Sequence, residues 1–552
     1  MRNSYRKISL ASALPSLAAS LLISPPSYIS KRCYHHSKHI NSCSHYASMN
    51  YAHKDDVVKP KNDDTYVLVW KQDMIDGIKA TNINSNTVND DGHLFNAELF
   101  SASKAWGRRP FLLRNAFDPD KLVILDDDSS MQEVDNSGEF GPWPSWQDVV
   151  DIATDEDAES RVISHIPGDY STFDIEWGAL SDAKFDAWIS KETAAEVISD
   201  QNAEHSRKET LVVNDIDRFH PPLADWIYDI FNFIPNWRMD DGQISLAEVN
   251  GGIGPHVDNY DVFLIQMNGS RTWQVGKEKI DAIEERNRLI DGIDVRVLSD
   301  WKYEKDKDDT NVEEWVLNPG DMLYLPPRVP HCGIALSDGC MTLSVGCRAP
   351  SVSDLVSRLA ERLSNSVEDV AVRRYTDDDL LNDHRSNDNF SPGEITAKAK
   401  EDTKHLVLNA LQTMMDDDSV WDEFFGRYVT EPKRLRNNYP IPLEDDDECD
   451  APTVQDVLNG RGMLYHAEGI CFSYSEVHSQ GSATTIYRLF VNGEMWQSDS
   501  ADDGILYQTI ANNRMLDEPV LLKSIGGDVR RVKNIEFLEK LVSLGFLYGS
   551  DE

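Results

Sequence analysis

The sequence predicts a mainly β protein with helices: an all-β barrel or jelly roll with decorating helices, then a helical segment, then a small α+β unit. Three observations carry this. Short apolar runs of strand length recur up to about residue 350, with turn signals at close intervals. Helical periodicity takes over after Pro350. Beyond an acidic stretch at 443–450, short helices alternate with hairpin-like strands. The segments that follow are 1–54, 55–94, 95–350, 351–440 and 441–552.

Residues 1–54 contain no Asp or Glu, in a chain that holds 95 acidic and 54 basic residues. They carry Arg2, Arg6, Lys7, Lys31, Arg32 and Lys38, many Ser, and a largely apolar stretch at 8–23. Such a shift in composition marks a targeting segment, and a basic, acid-free, Ser-rich one fits a transit peptide. Basic residues and Ser on both sides of a short, interrupted apolar run favour the mitochondrion over the plastid. A secretory-type apolar run at 14–23 is the rival reading. The group Cys33, His35, His36, His39, Cys43 and His45 fits no standard zinc spacing and lies where cleavage is expected.

The formal net charge is −41. Phosphate binding needs a basic footprint, so this balance argues against direct nucleic-acid binding. It suits a basic protein partner, although a solvated, self-repelling surface explains it as well. After the N-terminal region no run of about 18 apolar residues offers a membrane span. The seven Cys are scattered without a C-x-x-C, which argues for a reducing compartment and against a disulfide scaffold or structural zinc.

Residues 55–94 read as a polar linker leading into the β-rich part, with a first strand at 66–70. Strands are expected at 109–114, 161–164 and 211–213, and a short helix at 143–152. A helix at 222–233 places Leu223, Trp226, Ile227, Ile230 and Phe231 on one face. The run 262–267 is nearly unbroken in apolar residues and reads as a buried strand. Asn268-Gly269-Ser270 then reads as a hairpin turn into Arg271-Thr272-Trp273. A charged loop at 302–314 precedes a turn at Asn318-Pro319-Gly320-Asp321. A strand at 322–325 stops at Pro326-Pro327, and a last strand covers 341–346.

In the helical segment, Ser351 and Asp354 form a capping box ahead of Leu355, Val356, Leu359 and Leu363. Further helices are expected at 394–415 and 421–428. Such stripes serve either internal packing or a subunit interface. The tail reads as helices at 453–458 and 535–544 around strands at 464–472 and 485–491, with an Asn492-Gly493 turn. That order fits a winged-helix-like unit, but an acidic one.

The chemistry begins at His256-Val257-Asp258. On a strand, two residues that are two apart project to the same face, so an imidazole and a carboxylate would converge. His331, 75 residues on and just past a Pro turn, supplies a third ligand. Two His and one carboxylate on one face leave open positions on an octahedral ion, the pattern of non-haem Fe(II) oxygenases. A lone H-x-D is common by chance, and a buried His is usually only hydrogen-bonded. The context strengthens the reading. Gly251, Gly252 and Gly254 strip side chains from the backbone beside the site. Arg271 follows on the next strand, where it can clamp a dicarboxylate through two bonds.

Together GGIGPHVDNYDVFLIQ, the Arg271-x-Trp273 segment, NPGDMLYLPPRVPHCGIAL and LSVGCRAP resemble the ribosomal oxygenases of the JmjC/cupin superfamily. The resemblance is greatest to the bacterial-type branch that hydroxylates an arginine of a large-subunit ribosomal protein. It extends to Pro110–Arg114, Ile234–Asp241, Phe424-Phe425-Gly426 and the hairpin near Asn492, and so to roughly residues 95–550. It implies a double-stranded β-helix, a helical dimerisation segment and a winged-helix-like C-terminal domain. It implies His256, Asp258 and His331 as Fe(II) ligands and Arg271 as the partner of 2-oxoglutarate, with Ser245 and Thr342 as helpers and O₂ as oxidant. The family carries an amide near the Thr342 position, and the loop before it, Ser337 to Cys340, is one residue longer here. A ribosomal protein substrate and a homodimer are likewise implied. The competing readings are histidyl hydroxylation of another ribosomal protein, histone demethylation, and a catalytically idle cupin scaffold. An idle scaffold has no need of His256, Asp258, His331 and Arg271 together.

Overall fold

The structure is a computed structural model. It describes residues 67–69, 94–118, 142–193, 206–290, 296–298, 301, 312–337, 339–365, 373–376, 393–432, 451–478 and 484–551. The expected targeting segment 1–54 with its Cys/His group, the linker up to residue 66, the loop at 302–311 and the acidic stretch 443–450 lie outside the described residues. The described residues all fall in one contact unit, Pro60–Asp446 with Asp450–Glu552. No helix among them is long and apolar enough to cross a membrane.

The first part is built from β1 (Val67–Val69), β2 (Phe111–Leu113), β3 (Ser160–Ile166), β4 (Asp169–Trp177), β5 (Lys208–Val213), β6 (Met239–Ala247), β7 (Asp261–Asn268), β8 (Arg271–Gly276), β9 (Val312–Leu317), β10 (Met322–Leu325), β11 (His331–Ala335) and β12 (Cys340–Cys347). They form a large sheet in the order β1-β2-β10-β7-β12-β6-β5-β3-β4 and a small one in the order β11-β8-β9. The pairings are antiparallel throughout. This is the two-sheet jelly roll that the spacing of short apolar runs predicts.

The unbroken apolar run of β7 has a direct cause, since all its residues but Asn268 are buried. Val262 and Leu264 pack with Trp273, Val275 and Leu317 of the small sheet. Phe263, Ile265 and Met267 face the opposite way, into a core shared with the helices Ala97–Ser103, Trp146–Ile152 and Pro221–Ile230. A strand covered on both faces cannot alternate with polar residues. The helix-side core is dense in rings: Phe231 and Phe263 lie 4.7 Å apart and Phe100 and Tyr324 5.0 Å. Burying each such side chain contributes roughly 1.5–3 kcal/mol.

Two sequence expectations change here. Asn268-Gly269-Ser270 does not close a hairpin, because β7 belongs to the large sheet and β8 to the small one. The turn is a corner between sheets, packed against the β11–β12 connection: a Cβ on Gly269 (φ 61°) would meet Ser337 Oγ at 2.5 Å. The charged loop also ends earlier than expected, since Val312, Glu313 and Glu314 pair with Gly276, Val275 and Gln274 as part of β9.

After β12 come the helices Val352–Asn365, Ala397–Asp416 and Asp418–Thr430. Leu359, Met414 and Phe424 form their shared core, with Leu355, Leu363, Leu411 and Trp421 packed against it. The expected capping box is present: Ser351 Oγ accepts from Asp354 N at 3.0 Å, and Asp354 Oδ2 accepts from Ser351 N at 3.2 Å.

The C-terminal part holds β13 (Met463–His466), β14 (Phe472–His478), β15 (Thr485–Val491), β16 (Glu494–Ser498), β17 (Met515–Leu516) and β18 (Leu547–Ser550). They make two three-stranded sheets, β17-β13-β18 and β14-β15-β16. The helices Ala501–Asn512, Glu518–Ser524 and Asp528–Ser543 complete the unit. The expected single strand at 464–472 is broken at Gly469 (φ 75°), and its two halves serve different sheets. The unit is tied to the jelly roll by Asn236 Nδ2, which donates to Ala511 O at 2.9 Å, and by Arg514, which pairs with Asp225 and, at 2.7 Å, with Glu468.

Candidate metal centre

His256 and Asp258 lie in extended chain between β6 and β7, not on a strand as expected. Their direction is set by β11. His256 N donates to His331 O and His331 N to His256 O, both at 2.9 Å, as an isolated antiparallel bridge. Gly252 makes that approach possible, because a Cβ there would stand 2.2 Å from Gly333 O. The glycine therefore serves the contact between the ligand-bearing chain and β11, rather than the approach of a ligand.

The two rings are fixed by the same device. His256 Nδ1 donates to Gly254 O at 2.8 Å and His331 Nδ1 to Val329 O at 2.9 Å. A carbonyl only accepts, so each Nδ1 carries the proton and each Nε2 offers its lone pair. His331 Nε2 lies 3.4 Å from Asp258 Oδ2, and His256 Nε2 lies 3.8 Å from Asp258 Oδ1. The three ligand atoms all fall within 4.8 Å of one another. Such a set can meet one ion at about 2.0–2.2 Å from each donor. Burial, reinforced by the neighbouring His256, pushes the His331 imidazole down to about 4, so it is neutral at pH 7, the form that binds metal. Among the described residues no other set of three His, Cys, Asp or Glu side chains converges in this way.

Arg271 opens β8 and is 1% exposed. His331 pairs with Val275 and Ala335 with Arg271, so all four share one face of the small sheet. Arg271 is thus four residues along from the metal site, roughly 13 Å of strand at about 3.3 Å per residue. Trp273 fills the face between them, its ring 5.8 Å from that of His331, with the Arg271 guanidinium 5.9 Å from its centre. Gly333 opposite leaves room for that indole: a Cβ there would be 2.9 Å from it.

The guanidinium reaches across to the large sheet. Arg271 Nη1 donates to Ser245 Oγ at 3.1 Å, while Nη2 is buried with no partner. A buried guanidinium donor left unpaired is costly unless a ligand meets it. Ser245 accepts from Arg271, so its own proton stays available. Thr342 sits beside Ser245 in register, but its Oγ1 donates to Gln266 Oε1 at 2.9 Å, which commits its proton. Gln266, fully buried and held by Asn268 O at 2.7 Å, places an amide beside Thr342 from the neighbouring strand. Sequence reasoning passed over Gln266 because it reads as an interruption of an apolar run.

The six residues singled out in the sequence fall into two groups: His256, Asp258 and His331 converge, and on the far side of Trp273 Arg271 reaches Ser245, with Thr342 beside it in register. Residues 227–355, which contain all six, match the family model of the JmjC domain. The chain carries a JmjC domain. That domain spans from the helix Pro221–Ile230 to the first turn of the helix after β12. The chain is 25% identical over 413 residues to a Haemophilus influenzae protein named "Probable ribosomal oxygenase", covering 75% of this chain and 85% of that protein. It is 26% identical over 319 residues to the "Ribosomal protein uL16 3-hydroxylase" of Escherichia coli, covering 57% of this chain and 73% of the relative. Among solved structures, E. coli ycfD matches with TM-score 0.56 and 22% identity, over 83% of this chain and 99% of that one. The same ribosomal oxygenase in complex with cobalt and 2-oxoglutarate matches with TM-score 0.54 and 22% identity, over 82% and 97%. These likenesses show that the chain shares its fold with those structures over most of its length.

Proposed function

We propose that this protein is a 2-oxoglutarate- and Fe(II)-dependent oxygenase that hydroxylates a ribosomal protein. The observation that carries the reading is the pairing of a two-His, one-carboxylate site with a buried arginine whose Nη2 has no protein partner. The donor set fits Fe(II): two imidazoles and one carboxylate leave open positions for a chelating acid and O₂. His256, Asp258 and His331 hold the metal. Arg271 receives the distal carboxylate of 2-oxoglutarate through Nη2, and Ser245 offers a hydroxyl beside it. Thr342 acts at one remove, through Gln266. Iron with 2-oxoglutarate and O₂ supplies the oxidising power that puts an oxygen atom into a C–H bond, releasing succinate and CO₂. The chain's own part is to fix the ligand rings, orient the dicarboxylate and exclude water with Trp273.

The relatives' names support a ribosomal protein as substrate. A net charge of −41 suits so basic a partner. We assign an arginine of a large-subunit protein as the target, following the bacterial-type branch that the motifs resemble. Succinate release that depends on Fe(II) and on a ribosomal-protein peptide is the test. It should fall to background in His256→Ala and in Asp258→Ala, and turnover that persisted in either would overturn the triad assignment. Mass spectrometry of ribosomal proteins from cells with and without the enzyme names the residue. A lost mark on histidine alone would replace the arginine reading.

A further inference from the structure

Arg328 lies three residues before His331, in the turn between β10 and β11, with its backbone in the left-handed region at φ 72°. A long side chain is seldom held there unless its surroundings fix it. Its bonds identify what does. Arg328 N donates to Asp258 O at 2.8 Å, and Arg328 O accepts from Ile280 N at 3.0 Å. Nε donates to Ile280 O at 2.9 Å. Nη1 donates to Asn259 Oδ1 at 3.0 Å and also to Glu285 Oε2. Glu285, on the helix Ala282–Arg288, is 1% exposed, and its other oxygen takes a 2.7 Å bond from Arg296 Nε. A carboxylate so buried persists because two guanidinium groups satisfy it with charge-assisted bonds.

One side chain thus joins three segments: the helix bearing Glu285, the loop of Asp258 and Asn259, and the turn that leads into His331. Two of the three metal ligands stand on segments it connects, and His256 is two residues from Asp258. We propose that Arg328, anchored by Glu285, is a positioning residue that holds the Asp258 loop against the His331 turn and so sets the metal affinity of the triad. The proposal rests on the reading of that triad as a divalent metal site. Nothing in the H-x-D or the distal histidine announces it, and the left-handed backbone is the sign that the side chain matters more than local comfort.

Arg328→Gly separates this role from general stability. Glycine adopts φ 72° freely and keeps both backbone bonds, while the side-chain clamp is gone and buried Glu285 is left with Arg296 alone, so the urea midpoint should fall although the chain still folds. The full-length metal-free protein is titrated with Co(II), read by its visible absorption, and unfolded separately in urea. Wild type should bind Co(II), and Arg328→Gly, titrated without urea where it is folded, should bind about tenfold to a hundredfold more weakly. Glu285→Gln should weaken Co(II) binding in the same direction. If wild type takes up no Co(II), the triad reading fails and the proposal falls with it. If wild type binds and both variants match it within about twofold, the triad stands and Arg328 is not a positioning residue. Should Arg328→Gly fail to fold, Asn259→Ala decides, since it removes one exposed partner of the clamp: weaker binding supports the proposal and unchanged binding overturns it.

Discussion

At the scale of single residues, the site separates groups that meet a ligand from groups that support them, and proton bookkeeping tells which is which. Arg271 Nη2 has no protein partner and the Ser245 hydroxyl hydrogen is uncommitted, whereas the Thr342 hydroxyl already donates its hydrogen bond to Gln266. Arg271→Lys should therefore raise the KM for 2-oxoglutarate roughly tenfold to a hundredfold, since a point charge replaces a planar fork and a charged hydrogen bond is lost. Ser245→Ala should raise it by about tenfold, and Thr342→Val by less than about threefold. Steady-state kinetics with 2-oxoglutarate varied would check the order, and a Thr342→Val effect equal to that of Arg271→Lys would sink it. These residues were legible because few other purposes bring two His, one Asp and an Arg so near strand ends. Gln266, Arg328 and Glu285 were not. A polar residue in a buried strand, an arginine in a turn and a glutamate on a short helix mean nothing until the fold brings them to the ligands.

At the scale of elements, the segment from Gly251 to Asp258 works only because it lies flat on β11. Gly252→Ala would drive a methyl group into the Gly333 carbonyl, at 2.2 Å from the backbone oxygen. Neither chain can yield without breaking the reciprocal His256–His331 bonds. The expected outcome is a loss of about 3 kcal/mol or more in urea unfolding, larger than ordinary overpacking because backbone rather than a flexible side chain must move. A variant as stable as wild type would show that the contact is not required. The same strand geometry explains what the sequence hid. Apolar runs located β5, β7, β10 and β12 but did not say which sheet a strand joins, so the β7–β8 corner read as a hairpin. β4 escaped notice because its side chains are largely exposed, with only Phe173 buried, and Asp174 and Glu176 dilute its pattern.

At the scale of the whole molecule, the helical segment leaves much of its apolar surface exposed among the described residues. The helix Ala397–Asp416 has 20 residues, about 30 Å of length, yet only Met414 of it is buried. Val407 and Leu408 are 57% and 58% exposed, and Val356 on the preceding helix is 52% exposed. Single exposed apolar residues are ordinary, but a long helix gains most of its stability from a covered face. We propose that a second copy covers it, as the resemblance to dimeric ribosomal oxygenases implies. Light scattering on the purified chain should then give twice the single-chain mass. Val407→Glu combined with Leu408→Glu should return the single-chain mass while leaving Co(II) uptake at the triad intact. Electrostatics add a direction: bringing two chains of −41 together opposes association, so added salt should tighten the dimer by screening the repulsion. A wild-type chain that stayed monomeric at every salt concentration would mean that the exposed face serves another partner, with the acidic surface pointing to the basic substrate itself.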